Sequence, residues 1–589
     1  MTRRTLLSSM ACAAARAATR PNVVVILSDD QGWGDLSING NTNLSTPNID
    51  SIGRSGARFD RFFVCSVCAP TRAEFLTGRY HARGGVRGVS TGLERLNLDE
   101  RTIGQTFQDA GYATGAFGKW HNGSQGPYHP NARGFREYYG FTSGHWAHYF
   151  NTEMDHNGRL TRGNGYIVDD LTDHALRFIQ QNRSNPFFCY LPVNTPHSPM
   201  QAPERFYSKF ANFQPRLQAT DPKLEELTMT RAALAMVENI DWNVGRVLSK
   251  LKELKLESNT IVLYFCDNGP NSWRWNGGMK GRKGTLDEGG LRSPLLMRYP
   301  GRIPAGRTVA PIAGAIDLLP TLTSLAGIPA TSTKPLDGRD LSPLLFDNKP
   351  AWPDRTLFSL HNRRVSVRTQ EYRLDPEGRL FDMVADPGQT KDVAAERTDA
   401  AARLSKAAAE WSQEVLPLVG PDTRPYPVGY SPFTYLPARD GEASGNIQRS
   451  TRAPNSSYFT NWTSTNDRIT WDIEVLQPGE YEATLHYTSP GAGSVIELSF
   501  GDVRLEARIA EAHDPPLYGM NEDRHKRVGE SYAKNFKPLM LGKITLKTGR
   551  GKLTLRALQI AGTQVADVRY LTLTRREETT SPRRPGRRI

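Results

Sequence analysis

PNVVVILSDDQGWGD, residues 21–35, opens on five consecutive apolar residues, Val23–Leu27, four of them β-branched. A run this short, without polar alternation, is the pattern of a strand covered on both faces. It stops abruptly at Ser28-Asp29-Asp30, with Gly32 and Gly34 just beyond. Two similar runs follow. Pro186–Val193 reads PFFCYLPV, and Thr260–Phe265 reads TIVLYF and leads into Cys266-Asp267-Asn268-Gly269. Between them, Thr228–Leu254 puts Leu234, Val237, Ile240, Val244, Val247, Leu248 and Leu251 on one helical face. Ile103–Ala110 is a shorter helical candidate. Strands alternating with helices predict an α/β domain with a mostly parallel sheet and helices on both faces. Sites in such sheets form beyond the carboxyl ends of strands, where the polar clusters after Leu27 and Phe265 fall.

The pattern changes near residue 416. LPLVGPDTRPYPVGYSPF is rich in Pro and Gly and reads as part of a linker over 416–439. Beyond it the period becomes two. Ile469–Val475, Gly479–Thr488, Val495–Phe500, Lys543–Lys547 and Lys552–Ala557 alternate apolar and polar residues. Gly549 and Gly551 look like the turn of a hairpin between the last two. Residues 440–575 are therefore expected to form an all-β sandwich, an accessory domain that folds by itself and helps with polymeric substrates. Residues 576–589 read as a basic disordered tail.

Charge is concentrated at the ends. The 589 residues carry a net +13, which resembles a nucleic-acid signature until it is located. Residues 1–20 hold Arg3, Arg4, Arg16 and Arg20 without an acid, and 575–589 hold six arginines against Glu577 and Glu578. The folded part is close to balanced, so a basic nucleic-acid face is not expected. Residues 1–20 have the charged, apolar and small-residue order of an export signal, twin-arginine or Sec, which predicts a periplasmic or extracellular protein. No apolar run approaches the ~20 residues of a membrane span. Five cysteines, one of them in the leader, demand no disulfide framework.

The most informative chemistry lies in Cys65-Ser-Val-Cys68-Ala-Pro70-Thr-Arg72-Ala-Glu-Phe-Leu76-Thr77-Gly78-Arg79. As a C-x-x-C pair the two thiols would suit a redox dithiol or half a zinc site, but no second pair and no thioredoxin context is present. Cys68-x-Pro70-x-Arg72 followed by Leu-Thr-Gly-Arg resembles the signature of type I sulfatases, with Thr71 in place of the commoner Ser. Asp29-Asp30-Gln31-Gly32, Gly118-Lys119-Trp120-His121-Asn122-Gly123, Thr195-Pro196-His197-Ser198-Pro199, Asp267-Asn268-Gly269 and Lys283 through Arg292 follow the order of that family's other motifs. Asn122 stands where the family often has Leu. The resemblance covers about residues 21–415 and implies an alkaline phosphatase-like fold.

It also implies that Cys68 is oxidised to Cα-formylglycine by a formylglycine-generating enzyme, a transient partner. The aldehyde hydrate has two hydroxyls: one attacks sulfur and releases the alcohol, and the other expels sulfate. Asp29, Asp30, Asp267 and Asn268 offer only oxygen ligands, which suits Ca²⁺ or Mg²⁺ over zinc, and the resemblance favours Ca²⁺. Lys119 and Lys283 would neutralise the sulfate oxygens. His121 is expected to serve the formylglycine hydroxyls, His197 with Lys283 to protonate the leaving alcohol, and Arg72 to hold the formylglycine and metal-side carboxylates. His145, His148 and His361 are further cleft candidates. Cys189 and Cys266 read as packed thiols.

The expected substrate is a sulfated carbohydrate or an aryl sulfate. Two other readings compete. A phosphomonoester or phosphonate hydrolase of the related superfamily would use similar groups. A sugar-binding protein would present Tyr458, Trp462, Trp471, Tyr481 and Tyr487 to sugar rings, although packing in a sandwich core is the readier explanation of those aromatics.

Overall fold

The computed structural model describes residues 20–346 and 352–575. The export-signal reading (apart from Arg20) and the basic-tail reading lie outside these residues.

Asn22–Ser28 is buried along its whole length and sits at the centre of an 11-stranded sheet. It pairs in parallel with Phe187–Pro192 on one side and Thr260–Cys266 on the other. Ala113–Lys119 continues the parallel order beyond Phe187–Pro192 and pairs with Glu137–Phe141. Antiparallel partners extend the sheet at both sides: Arg292–Arg298 next to Thr260–Cys266, and Glu153–His156 next to Glu137–Phe141.

Both faces are covered, as the unalternated sequence requires. Val24 and Ile26 pack among apolar residues of the helices Ile167–Gln181 and Leu227–Glu253. Val23, Val25 and Leu27 point the other way, into a core with Phe75, Phe107 and Leu322. The consequence for function is positional. Four neighbouring parallel strands end on one edge of the sheet, and the chain leaves them at Asp29, Asp267, Val193 and Trp120.

A second sheet was not expected. Leu357–His361, Arg364–Arg368, Tyr372–Leu374 and Leu380–Asp382 form a four-stranded antiparallel sheet backed by the helix Thr398–Val415. Its strands are three to five residues long, too short to show a period.

The C-terminal sandwich has two six-stranded sheets around one core. Two expectations need correcting. Tyr426–Val428 and Phe433–Pro437, inside the stretch read as linker, are strands of the sandwich. They pair with Arg468–Val475 and Asp567–Arg575 respectively, and Val428 and Leu436 are fully buried. The expected hairpin is also absent. Lys537–Leu546 pairs with Gly479–Thr488 in one sheet, while Gly549–Gln559 pairs with Arg468–Val475 in the other. Ile544 and Leu546 on one strand, and Leu553 and Leu555 on the other, all turn into the same core. The strands therefore face each other across that core instead of lying side by side. Trp462, Trp471, Tyr481 and Tyr487 are buried core residues, so they offer no sugar platform.

The sandwich is tied to the α/β domain by buried polar contacts. Arg95 donates to Asp422 at 3.0 and 3.2 Å and stands 4.4 Å from the Tyr426 ring centre. Gln125 donates to Asp440, and Ser143 to the Asn455 carbonyl.

Candidate active site

Cys68 is the first residue of the helix Cys68–Thr77, which is buried from end to end. Gly78, at φ 69°, caps the far end, a left-handed conformation that glycine adopts without strain. Ligand atoms of Cys68, Asp29 and Asp267 lie within 4.8 Å of one another.

The strand ends bring the other candidates to this point. Gly118, at φ 144°, lets Ala113–Lys119 approach its neighbour so closely that a Cβ there would stand 2.0 Å from the Pro192 carbonyl oxygen. The next residue, Lys119, places its ammonium 2.6 Å from Asp29. Arg72, one helical turn after Cys68, donates to Asp267 from two nitrogens at 2.8 and 3.1 Å and to the Lys119 carbonyl at 2.7 Å. Lys283 lies 2.7 Å from the Asp30 carboxylate, and His197 Nε2 lies 3.6 Å from it. Asn268 donates to Asp30 at 2.8 Å. Nine of the ten expected residues thus share one network.

His121 stands one step away. Its Nε2 is 2.8 Å from the Val89 carbonyl oxygen, which can only accept, so Nε2 carries the proton and Nδ1 keeps a lone pair. That Nδ1 is buried without a protein partner. Asp30 and His121 both hold left-handed backbone, φ 65° and 64°, a conformation non-glycine residues rarely take outside constrained sites.

The electrostatics fit an anion site with a cation beside it. Burial pushes the Asp267 carboxyl up to about 7, with the Asp29 charge adding to it against Arg72 and Lys119. Burial also acts on Asp30, but His197, Lys283 and Lys119 together hold it well below the usual carboxylate range. His197 is driven down to about 4, by burial first and by the two lysines, against Asp30. Burial and Lys119 hold His121 neutral. The Cys68 thiol is raised by burial despite Lys119 and Lys283, and Cys65 rises well above its usual value through burial and Glu74. Neither thiol has the depressed pKa of a reactive dithiol.

Asp29 Oδ1 and Asn268 Oδ1 are buried with no hydrogen-bond partner. Two orphaned oxygens, beside the carboxylates of Asp30 and Asp267, suit a hard divalent cation. The donor set of four oxygens therefore fits Ca²⁺ or Mg²⁺.

A sulfatase family model matches residues 21–328, and a model for the C-terminal part of N-sulphoglucosamine sulphohydrolase matches 282–412. The chain belongs to the sulfatase family. This sulfatase is a sulfuric ester hydrolase with an alkaline phosphatase-like α/β domain and an all-β C-terminal region. It is 31% identical over 406 residues to N-acetylgalactosamine-6-sulfatase of Mus musculus, covering 62% of the chain and 74% of the relative. Arylsulfatase G of Mus musculus is 32% identical over 398 residues, 58% and 71% of the two chains. Among solved structures, Ps i-CgsB in complex with k-i-k-neocarrahexaose superposes with a TM-score of 0.61 at 29% identity, over 67% of this chain and 94% of that one. Among the described residues no helix is long and apolar enough to cross a membrane.

Around this sulfatase's site lie residues with no motif of their own. His145 stacks on His197, ring centres 5.8 Å apart. Ser198, next to His197, donates to Glu530 of the sandwich at 2.5 Å. Ser456 donates to the His145 carbonyl, and Asn455 to the Val89 carbonyl. Only His145 was visible in the sequence as a candidate; nothing local marks Asn455 or Glu530. His361 is elsewhere, on a strand of the small sheet beside His81, and His148 packs against Tyr518.

Proposed function

We propose that this sulfatase is exported and removes sulfate from a sulfated carbohydrate, using a formylglycine made from Cys68 together with a Ca²⁺ ion held by Asp29, Asp30, Asp267 and Asn268. The observation that carries the reading is the placement of Cys68 at the start of a buried helix, among Asp29, Asp267, Lys119 and Lys283. A carbohydrate substrate is supported by the relatives: one is named for a sulfated N-acetylgalactosamine and a similar structure holds a neocarrahexaose.

The formylglycine hydrate supplies an attacking and an expelling hydroxyl, and the cation supplies positive charge on the sulfate oxygens. The chain's own groups do the rest. Lys119 and Lys283 carry fixed charge where the ester's negative charge accumulates. The Asp30 carboxylate holds the Lys283 ammonium above its usual range, against burial. His121, neutral and with Nδ1 open, is suited to take a proton from a hydroxyl. Burial and the two lysines keep His197 neutral, and an incoming sulfate ester would raise its proton affinity, preparing it to protonate the leaving oxygen together with Lys283. Arg72 keeps Asp267 and the start of the helix in place.

Sulfate release from a panel of defined sulfated oligosaccharides, compared with a Cys68→Ala variant, tests the reading. Release by the wild type and none by the variant is expected. Equal release by both, or hydrolysis of aryl phosphates in preference to aryl sulfates, would remove it.

A further inference from the structure

Next to the segments that carry His197 and Lys283 is a cavity of about 300 Å³ whose walls come from both domains, with Ser198, Trp273 and Arg282 on one side and His525, Lys526 and Glu530 on the other. Two of its residues directly adjoin groups assigned to chemistry: Ser198 follows His197, and Arg282 precedes Lys283. Ser198 Oγ also lies 3.3 Å from His197 Nδ1, so the cavity borders the groups proposed to meet the sulfate ester.

The charges of the cavity are unevenly matched. Its acids are engaged: Glu226 pairs with His525 at 2.9 Å, and Glu530 accepts from Ser198. Arg527 is held by Asp523. Arg282 has no carboxylate partner among the described residues; its guanidinium donates to the Asn271 carbonyl and stands 5.5 Å from the Trp273 ring centre. Lys526, exposed on the opposite wall, likewise pairs with no acid among the described residues. Two cations that line one cleft without carboxylate partners, while its acids are engaged elsewhere, favour an anionic occupant.

We propose that this cavity is the subsite for the sugar next to the one that loses its sulfate, and that Arg282 and Lys526 select a neighbour carrying a second anionic group. That group is a uronate carboxylate or a second sulfate ester. The inference rests on the sulfated-carbohydrate reading and adds a charge requirement to it. It also gives the sandwich a direct part in choosing the substrate, since Lys526 comes from it.

The test uses the full-length Cys68→Ala protein with Ca²⁺ present and three disaccharides of 6-sulfated N-acetylgalactosamine. Their neighbouring sugar is a uronate, its carboxyl-reduced neutral counterpart, or that counterpart with a sulfate ester. Calorimetric titration should show one or both anionic forms binding roughly tenfold tighter than the neutral one. The tighter of the two identifies the natural group. Adding Arg282→Ala and Lys526→Ala should reduce the discrimination to about twofold or less, whereas Lys547→Ala, an exposed lysine outside the cavity lining, should leave it intact. Equal binding of all three sugars, no binding of any, or discrimination that survives the double substitution overturns the subsite. Sulfate release from the neutral disaccharide by the wild type would leave the sulfatase reading standing in that event.

Discussion

His121 and Asn455 donate to the same oxygen, the Val89 carbonyl, at 2.8 and 3.2 Å. The first belongs to the α/β domain and the second to the sandwich. Gly144 packs between them: a Cβ there would lie 2.3 Å from Asn455 Nδ2 and 2.5 Å from His121 Nε2. Ser143 fixes Asn455 from the other side through its carbonyl. The sandwich thus helps to set the orientation of a residue proposed to act on the nucleophile.

Asn455→Ala is accordingly expected to lower kcat on 4-nitrophenyl sulfate by roughly tenfold with little change in KM, the loss of one positioning hydrogen bond of about 1–1.5 kcal/mol. Asn455→Gln should recover part of it. A raised KM with kcat intact would place Asn455 in substrate binding instead.

The cation site makes a stability prediction. Asp267 is pushed up to about 7 by burial and by Asp29, and two buried oxygens lack partners. A bound divalent cation should relieve both and raise Tm in proportion to the logarithm of its concentration. Chelator-treated wild type should gain several degrees on adding Ca²⁺, and Asp267→Asn should gain little. A larger gain with Zn²⁺ than with Ca²⁺ would contradict the all-oxygen ligand set.

Much of this was legible locally. A short, β-branched apolar run that ends in polar and glycine residues reads as a strand buried on both faces, so Val23–Leu27 and Thr260–Phe265 announced the centre of the sheet, and their polar ends announced the site. Contacts made far along the chain have no such signature. Asn455 sits in the short 3₁₀ turn Pro454–Ser456 and Glu530 in an irregular segment, and neither local sequence encodes what lies opposite. Register is equally hidden: Lys543–Lys547 and Lys552–Ala557 alternate as hairpin strands do, and only the shared core shows that they belong to different sheets.

Glu74, beside Cys65, gives a pH dependence. Burial raises its carboxyl to about 8 from an ordinary 4.5. The folded state therefore binds a proton that the unfolded chain has lost. The associated stability is fully present below about pH 4.5 and disappears as pH rises through about 8. A loss of roughly 3–5 kcal/mol between pH 5 and 9.5 is expected from this group. Glu74→Gln should flatten that alkaline decline in denaturant titrations. An unchanged slope would mean that Glu74 is ionised in the folded protein.

The most direct measurement is the mass of the tryptic peptide Phe62–Arg72 from protein that releases sulfate. Conversion of the Cys68 thiol to an aldehyde makes the peptide about 18 Da lighter than encoded, and fragmentation should assign the change to position 68 with Cys65 intact. The fraction of converted peptide should rise and fall with specific activity across preparations. Full activity with an unmodified Cys68, or a modification at Cys65 in its place, would contradict the account.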